Sequence, residues 1–208
     1  WEYWSQGASK YRYTAGGSDG AMKWGCHVVS YAKILVEMGI ESGDPNVFNP
    51  DILYEWGMGT YFRKSDTSEL TGTLNQSVVQ DYAASKGVKV TYEGWVSLTG
   101  TRTQNAAIIM DKIKKGYFVI LNCKDHQTYI GREASLKAGT PIMLDSAHDK
   151  STAPYHTRYY VDYTKLYFDK MFIFSYDAPD SSPIYYTYAA NITEKSASVR
   201  EVVKDLLY

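Results

Sequence analysis

The sequence predicts an α+β protein in which helices of the first half pack on an antiparallel sheet supplied mainly by the second. Apolar residues recur at helical spacing in four segments before residue 117, three of them closed by Gly39, Gly87 and Gly116. From residue 117 onward the apolar stretches become short, aromatic and β-branched, too brief for helices and suited to strands. Helices first and strands second is the order of an α+β fold.

The first helix reads from His27 to Met38, directly after Lys23-Trp24-Gly25-Cys26, and stops at Gly39. Asn49-Pro50-Asp51 has the cap, proline and acid order of a second helix start, with Ile52, Leu53 and Trp56 expected to point inward and Gly57 and Gly59 as its end. A third helix is predicted over about Asn75 to Lys86, with Val78, Val79, Tyr82 and Ala83 at helical spacing. Residues 88–92 alternate as a strand. A fourth helix is expected from about Gln104 to Lys115, on an apolar face of Ala107, Ile108, Met110 and Ile113. The run 117–123 reads as a buried strand, followed by strand candidates at 126–131, 140–145, 159–163 and 170–176.

Two parts are expected: a main domain over 1–176, and a linker and C-terminal arm over 177–208. Asp177 to Pro183 is rich in Pro, Asp and Ser, and beyond it lie a short run at 184–190 and an amphipathic helix from about Ser196 to Leu207. That arm is suited to docking on the domain or on a larger parent assembly. A chain of 208 residues can bury a sizeable core, and a formal charge of −1 leaves no basic footprint for nucleic acid. No run of eighteen apolar residues exists, so no transmembrane helix is expected. The start at Trp1, without Met or a signal peptide, suggests a portion of something longer. The 20 tyrosines suit either strands or an aromatic surface for sugar or peptide recognition.

Chemistry points to Cys26. A thiol at a helix N-terminus meets the positive end of the aligned peptide dipoles, which favours thiolate and hence nucleophilicity. The plain alternative is a small buried residue at a helix entry. Cys26 and Cys123 are too few for a disulfide framework, although one bridge stays open. A nucleophilic thiol needs a base within hydrogen-bond reach and a group to orient it. His27 would point about 100° away from Cys26 on a helix. His148 and His156 lie in a loop-like stretch, and with Asp145 and Asp149 they match no structural zinc pattern, so no metal or other cofactor is expected. His126 leads a strand. A hairpin between 126–131 and 140–145, centred between Ser135 and Leu136, places His126 directly opposite Asp145. Asp125 would point to the other strand face, and Ser18 and Asp19 are close enough in sequence to Cys26 to line the same pocket.

The order Cys, His, Asp, with the thiol on a helix and the other two on a sheet, resembles the papain-like cysteine peptidases. The likeness is to the bacterial and phage branch related to bacteriocin-leader-processing (double-glycine) peptidases, and covers roughly residues 3–146. It rests on Tyr3-Trp4-Ser5-Gln6, on Gly25-Cys26 with Ala32-Lys33-Ile34-Leu35 and Met38-Gly39, and on the later series Ile113 to Gly116, Phe118 to Leu121, His126 and Pro141-Ile142-Met143-Leu144-Asp145. The chain departs from that pattern at His27, where the family commonly has Gly, and at Ser146, where it commonly has Pro. The resemblance implies a papain-like fold with Cys26 as nucleophile, His126 as base and acid, Asp145 as orienting carboxylate and Gln6 as oxyanion donor beside the Cys26 N–H.

It further implies a cysteine hydrolase of peptide or amide bonds, acting on peptide or peptidoglycan in a secreted, cell-surface or virion-associated setting. The same residues suit a transglutaminase or deamidase, in which an amine or water accepts the acyl group. A non-catalytic aromatic-rich binding or virion module is the alternative outside enzymes.

Overall fold

The computed structural model describes residues 1, 4, 25–63, 70, 76–124, 126–146, 157–163 and 166–177. The chain divides into two units, Trp1–Asp177 and Ala178–Tyr208. The second unit lies outside the described residues, and with it the expected strand at 184–190 and helix at 196–207.

The first unit mixes helices with one antiparallel sheet. In order run α1 (Cys26–Glu37), α2 (Pro50–Gly57), α3 (Ser77–Ser85), β1 (Val90–Ser97), α4 (Arg102–Lys114), β2 (Phe118–Cys123), β3 (His126–Gly131), α5 (Arg132–Ala138), β4 (Ile142–Leu144), β5 (Thr157–Tyr159) and β6 (Lys170–Tyr176). The sheet order is β1-β6-β2-β3-β4-β5, and every adjacent pair is antiparallel. Among the described residues no helix is long and apolar enough to cross a membrane.

Alternation along the strands gives the sheet two apolar faces. Phe118, Ile120, Tyr129, Ile142, Leu144, Phe172 and Phe174 meet Val28, Ile34, Leu35, Leu53, Val78 and Val79 on one side. Val119, Leu121, Ile130, Met143, Met171 and Ile173 meet Ile109, Met110 and Ile113 of α4 on the other. Helix α1 runs through the first of these layers with every residue buried except His27, which is why its sequence is apolar nearly all round.

Helix starts follow their local signals. Asn49 caps α2 by accepting from the Asp51 and Ile52 amides. Thr101 and Gln104 form a reciprocal capping box at α4. The buried faces differ from expectation in both helices. On α2, Leu53 and Tyr54 go inside while Ile52 and Trp56 stay partly exposed. Tyr54 can be buried because its hydroxyl donates to the Arg63 carbonyl at 2.5 Å, and Trp56 stacks instead on Tyr61. On α4 the core face is Asn105, Ala106, Ile109, Met110 and Ile113, and Ile108 is partly exposed. Asn105 hides this stripe from a hydropathy reading: its amide bonds both the N–H and the C=O of Gly100, which satisfies a buried polar group.

The strands differ in detail too. β1 extends to Ser97 rather than ending near residue 92, passing a bulge at Glu93 where Gly94 takes φ +99°. The candidate at 159–163 splits into the end of β5 and a 3-10 turn over Tyr160–Asp162. The largest correction concerns residues 132–139. They do not form a hairpin turn but the two-turn helix α5, built from Arg, Glu, Ala, Leu and Lys and closed by Gly139 at φ +70°. Ser135, fully buried, donates to the Gly131 carbonyl at 2.6 Å and accepts from the Ile142 amide at 2.8 Å, so it ties the end of β3 to the start of β4. The resulting register pairs Tyr129 with Leu144, two residues away from the expected Tyr129–Ile142 pairing.

Candidate active site

Cys26 is the first residue of α1, following Gly25, and is 5% exposed. Its backbone N–H belongs to the first turn and has no acceptor within the helix. Neither Cys26 nor Cys123 is in a disulfide, and Cys123 Sγ lies 3.5 Å from the His126 carbonyl. His126 opens β3 and Asp145 immediately follows β4, so both stand at one end of the sheet.

The two-residue difference in register leaves side-chain parity intact, because strand faces repeat every two residues. His126 therefore still shares a face with Asp145, though as a diagonal neighbour rather than one directly opposite. Diagonal positions are about 7–8 Å apart at the backbone, a gap that an imidazole and a carboxylate together close. His126 Nε2 and Asp145 Oδ1 are 2.6 Å apart, with both side chains buried. With Nε2 held by the carboxylate, Nδ1 is the ring nitrogen left to exchange a proton with the thiol. Phe168, fully buried, packs at 6.3 Å from the imidazole and stacks on Tyr163, giving the ring an apolar wall.

The electrostatics tie the thiol to this pair. Burial by itself raises the Cys26 pKa, but hydrogen bonding to His126 and then His27, with the charge of each ring, outweighs it and brings the value down to about 6. For His126, burial works downward, and hydrogen bonds to Asp145 and Cys26 with their charges carry the value up to about 9. Between these limits the site holds a thiolate beside an imidazolium, and the two values belong to the coupled pair.

Comparison with protein-family models, with curated proteins and with solved structures finds no match.

Of the residues singled out in the sequence, the structure brings together Cys26, His126 and Asp145. Gln6, Ser18, Asp19, Asp125, His148, Asp149 and His156 lie outside the described residues. Among the described residues no group of three His, Cys, Asp or Glu side chains is placed to hold a metal ion.

Sequence reasoning set His27 aside, yet its ring, half-buried and 6.5 Å from that of Tyr31, also lowers the thiol pKa. It missed a second feature of α1 entirely. Cys26, Ser30, Lys33 and Glu37 recur at helical spacing and form a buried polar seam along β3 and its neighbours. Ser30 Oγ donates to the Gln127 carbonyl at 3.3 Å. Lys33 Nζ donates to the carbonyls of Leu144 at 2.9 Å and Asp145 at 3.5 Å. Glu37 accepts from the Arg132 amide at 2.9 Å, the Glu133 amide at 2.7 Å and the Tyr129 hydroxyl. The signal was present in the spacing of four polar residues within an otherwise apolar helix.

Proposed function

We propose that this protein is a papain-like cysteine hydrolase that cleaves peptide or amide bonds through an acyl-enzyme on Cys26. The observation that carries the proposal is the continuous chain from a low-pKa thiol through His126 to a buried carboxylate 2.6 Å from the imidazole. A lone buried cysteine has no need of such a chain, and burial would otherwise raise its pKa.

In the proposed reaction the Cys26 thiolate attacks the scissile carbonyl, and the carbonyl oxygen takes up negative charge. The Cys26 N–H, at the positive end of α1, would donate to that oxygen. By the family resemblance Gln6 supplies the second donor. The protonated His126 then gives its proton to the leaving amine, which departs as the carbonyl re-forms. Neutral His126 next takes a proton from water as that water attacks the thioester, and keeps it as sulfur leaves as thiolate and the acid departs, which restores the thiolate–imidazolium pair. Asp145 holds the ring orientation throughout and stabilises its charged form.

The substrate class rests on the resemblance to the bacterial and phage branch: a peptide or a peptidoglycan cross-bridge, in a surface or virion setting. The test is labelling by a peptidyl electrophile, and hydrolysis of a panel of peptides and muropeptides, before and after Cys26→Ala. Labelling of wild type at Cys26 alone, with loss of both labelling and hydrolysis in the variant, is expected. Hydrolysis that survives in folded Cys26→Ala sinks the mechanism.

A further inference from the structure

Asp145 stands one residue beyond the ladder that fixes β4. Leu144 is the last residue of that strand paired to its neighbours, with Tyr129 on one side and Thr157 on the other. The backbone carrying the carboxylate therefore lacks the strand pairing that holds Ile142 to Leu144. Yet Oδ1 must stay near 2.6 Å from His126 Nε2 for the imidazole to be oriented. Something other than the sheet must locate it.

Three side chains from outside the ladder converge on this corner. Ser146 Oγ donates to the Gln127 carbonyl at 3.4 Å, and Ser30 Oγ of α1 reaches the same oxygen at 3.3 Å. Lys33 is the third, and it grips the chain on both sides of the Asp145 Cα, through the carbonyls of Leu144 and Asp145. Its side chain is fully buried, although a lysine is almost never so without a dedicated partner. Its place on α1 is decisive. Lys33 lies two helical turns from Cys26 on the same polar seam, so one rigid helix carries the nucleophile at its end and, in its middle, the clamp on the backbone that bears the carboxylate.

We propose that Lys33 is a positioning residue of the Cys26–His126–Asp145 site: by binding the Leu144 and Asp145 carbonyls it sets the distance between the carboxylate and His126 and couples both to the helix that bears Cys26. The inference rests on the cysteine-hydrolase reading for its functional meaning, and on the two hydrogen bonds for its geometry. The groups that Lys33 binds here are main-chain carbonyls, outside the reacting thiol and imidazole. Its effect passes through Asp145 to the imidazole, and from the imidazole to the thiol.

Lys33→Met tests this, since Met keeps the unbranched stem and removes the donor. Thermal unfolding first establishes that the variant is folded. The pH midpoint of Cys26 alkylation by iodoacetamide is then compared with wild type, alongside peptide hydrolysis. The expected result is a midpoint raised above that of wild type and kcat/KM lowered by about 10- to 100-fold, the scale on which a misplacement of ~1 Å acts. A merely structural role would lower thermal stability and leave the midpoint where it was. A folded variant with the wild-type midpoint overturns the proposal. If Lys33→Met does not fold, Lys33→Gln, which keeps a donor of shorter reach, carries the same two outcomes. Failure of the hydrolase reading shows up separately, as a wild-type midpoint near the ~8.5 of a free thiol.

Discussion

Replacing Asp145 with Asn removes the carboxylate charge while keeping its size, and so isolates what the charge does for His126. The bond to Asp145 is the first of the contributions that raise the His126 pKa to about 9, against burial, which lowers it. Without that charge, burial prevails and the imidazole falls to the ordinary ~6.5 or below. At about 1.4 kcal/mol per pKa unit, the difference amounts to about 3 kcal/mol in the balance between imidazolium and imidazole. The thiol feels the change, because bonding to His126 is the first of the contributions that lower Cys26 to about 6. His27 remains, so part of the depression survives. The midpoint for Cys26 alkylation should therefore climb from about 6 to above 7, leaving less than half of the thiol ionised at neutral pH, where wild type holds roughly nine-tenths. The midpoint is a better readout than the rate, since a thiolate of higher pKa is also intrinsically more nucleophilic and masks part of its own depletion. Hydrolysis should fall by at least about 100-fold, the factor that 3 kcal/mol represents. A folded Asp145→Asn protein whose alkylation midpoint stays within about half a pH unit of wild type would refute the reasoning, because Asp145 would then not govern the site's charge.

The same site and its supporting helix carry two further expected outcomes. The pH profile of kcat/KM should be bell-shaped with limbs near 6 and 9: below the first the lowered thiol pKa is crossed and sulfur is protonated, and above the second the raised imidazole pKa is crossed and no acid remains for the leaving amine. A profile that rises monotonically through pH 9 would count against the assigned proton donor. Thr101→Ala should lower stability by about 1 kcal/mol in urea unfolding by removing the capping box of α4, with the alkylation midpoint of Cys26 unchanged, since that helix lies on the sheet face away from α1.

The sequence carried a good deal of this structure, for reasons that are local. Gly25-Cys26 marks the start of α1, Asn49-Pro50 that of α2, and Gly116 the stop after α4, because caps and glycines act within one or two turns. The strands at 118–123, 126–131 and 170–176 were legible from apolar and β-branched runs. Helix α5 was equally local: its five helix-forming residue types ahead of Gly139 outweigh a turn, but an eight-residue gap between two strands invited a hairpin. That error moved the register by two residues, and the His126–Asp145 pairing survived only because an even displacement preserves the strand face.

Composition and periodicity, then, determined the mixed fold and the helix entry at Cys26, whereas the meeting of His126 and Asp145 hung on a strand register that the sequence places two residues off. Tertiary structure decided which polar residues are buried. Lys33 reads in sequence as one more lysine on a helix, and its role appears only with the carbonyl of Leu144, 111 residues away. Asn105 and Glu37 likewise enter the core only because particular backbone groups await them. The physical reason is common to all three. Hydrophobic burial is non-directional and leaves its period in the sequence, whereas burial of a polar group depends on a partner at one distance and one angle, which only the folded chain supplies.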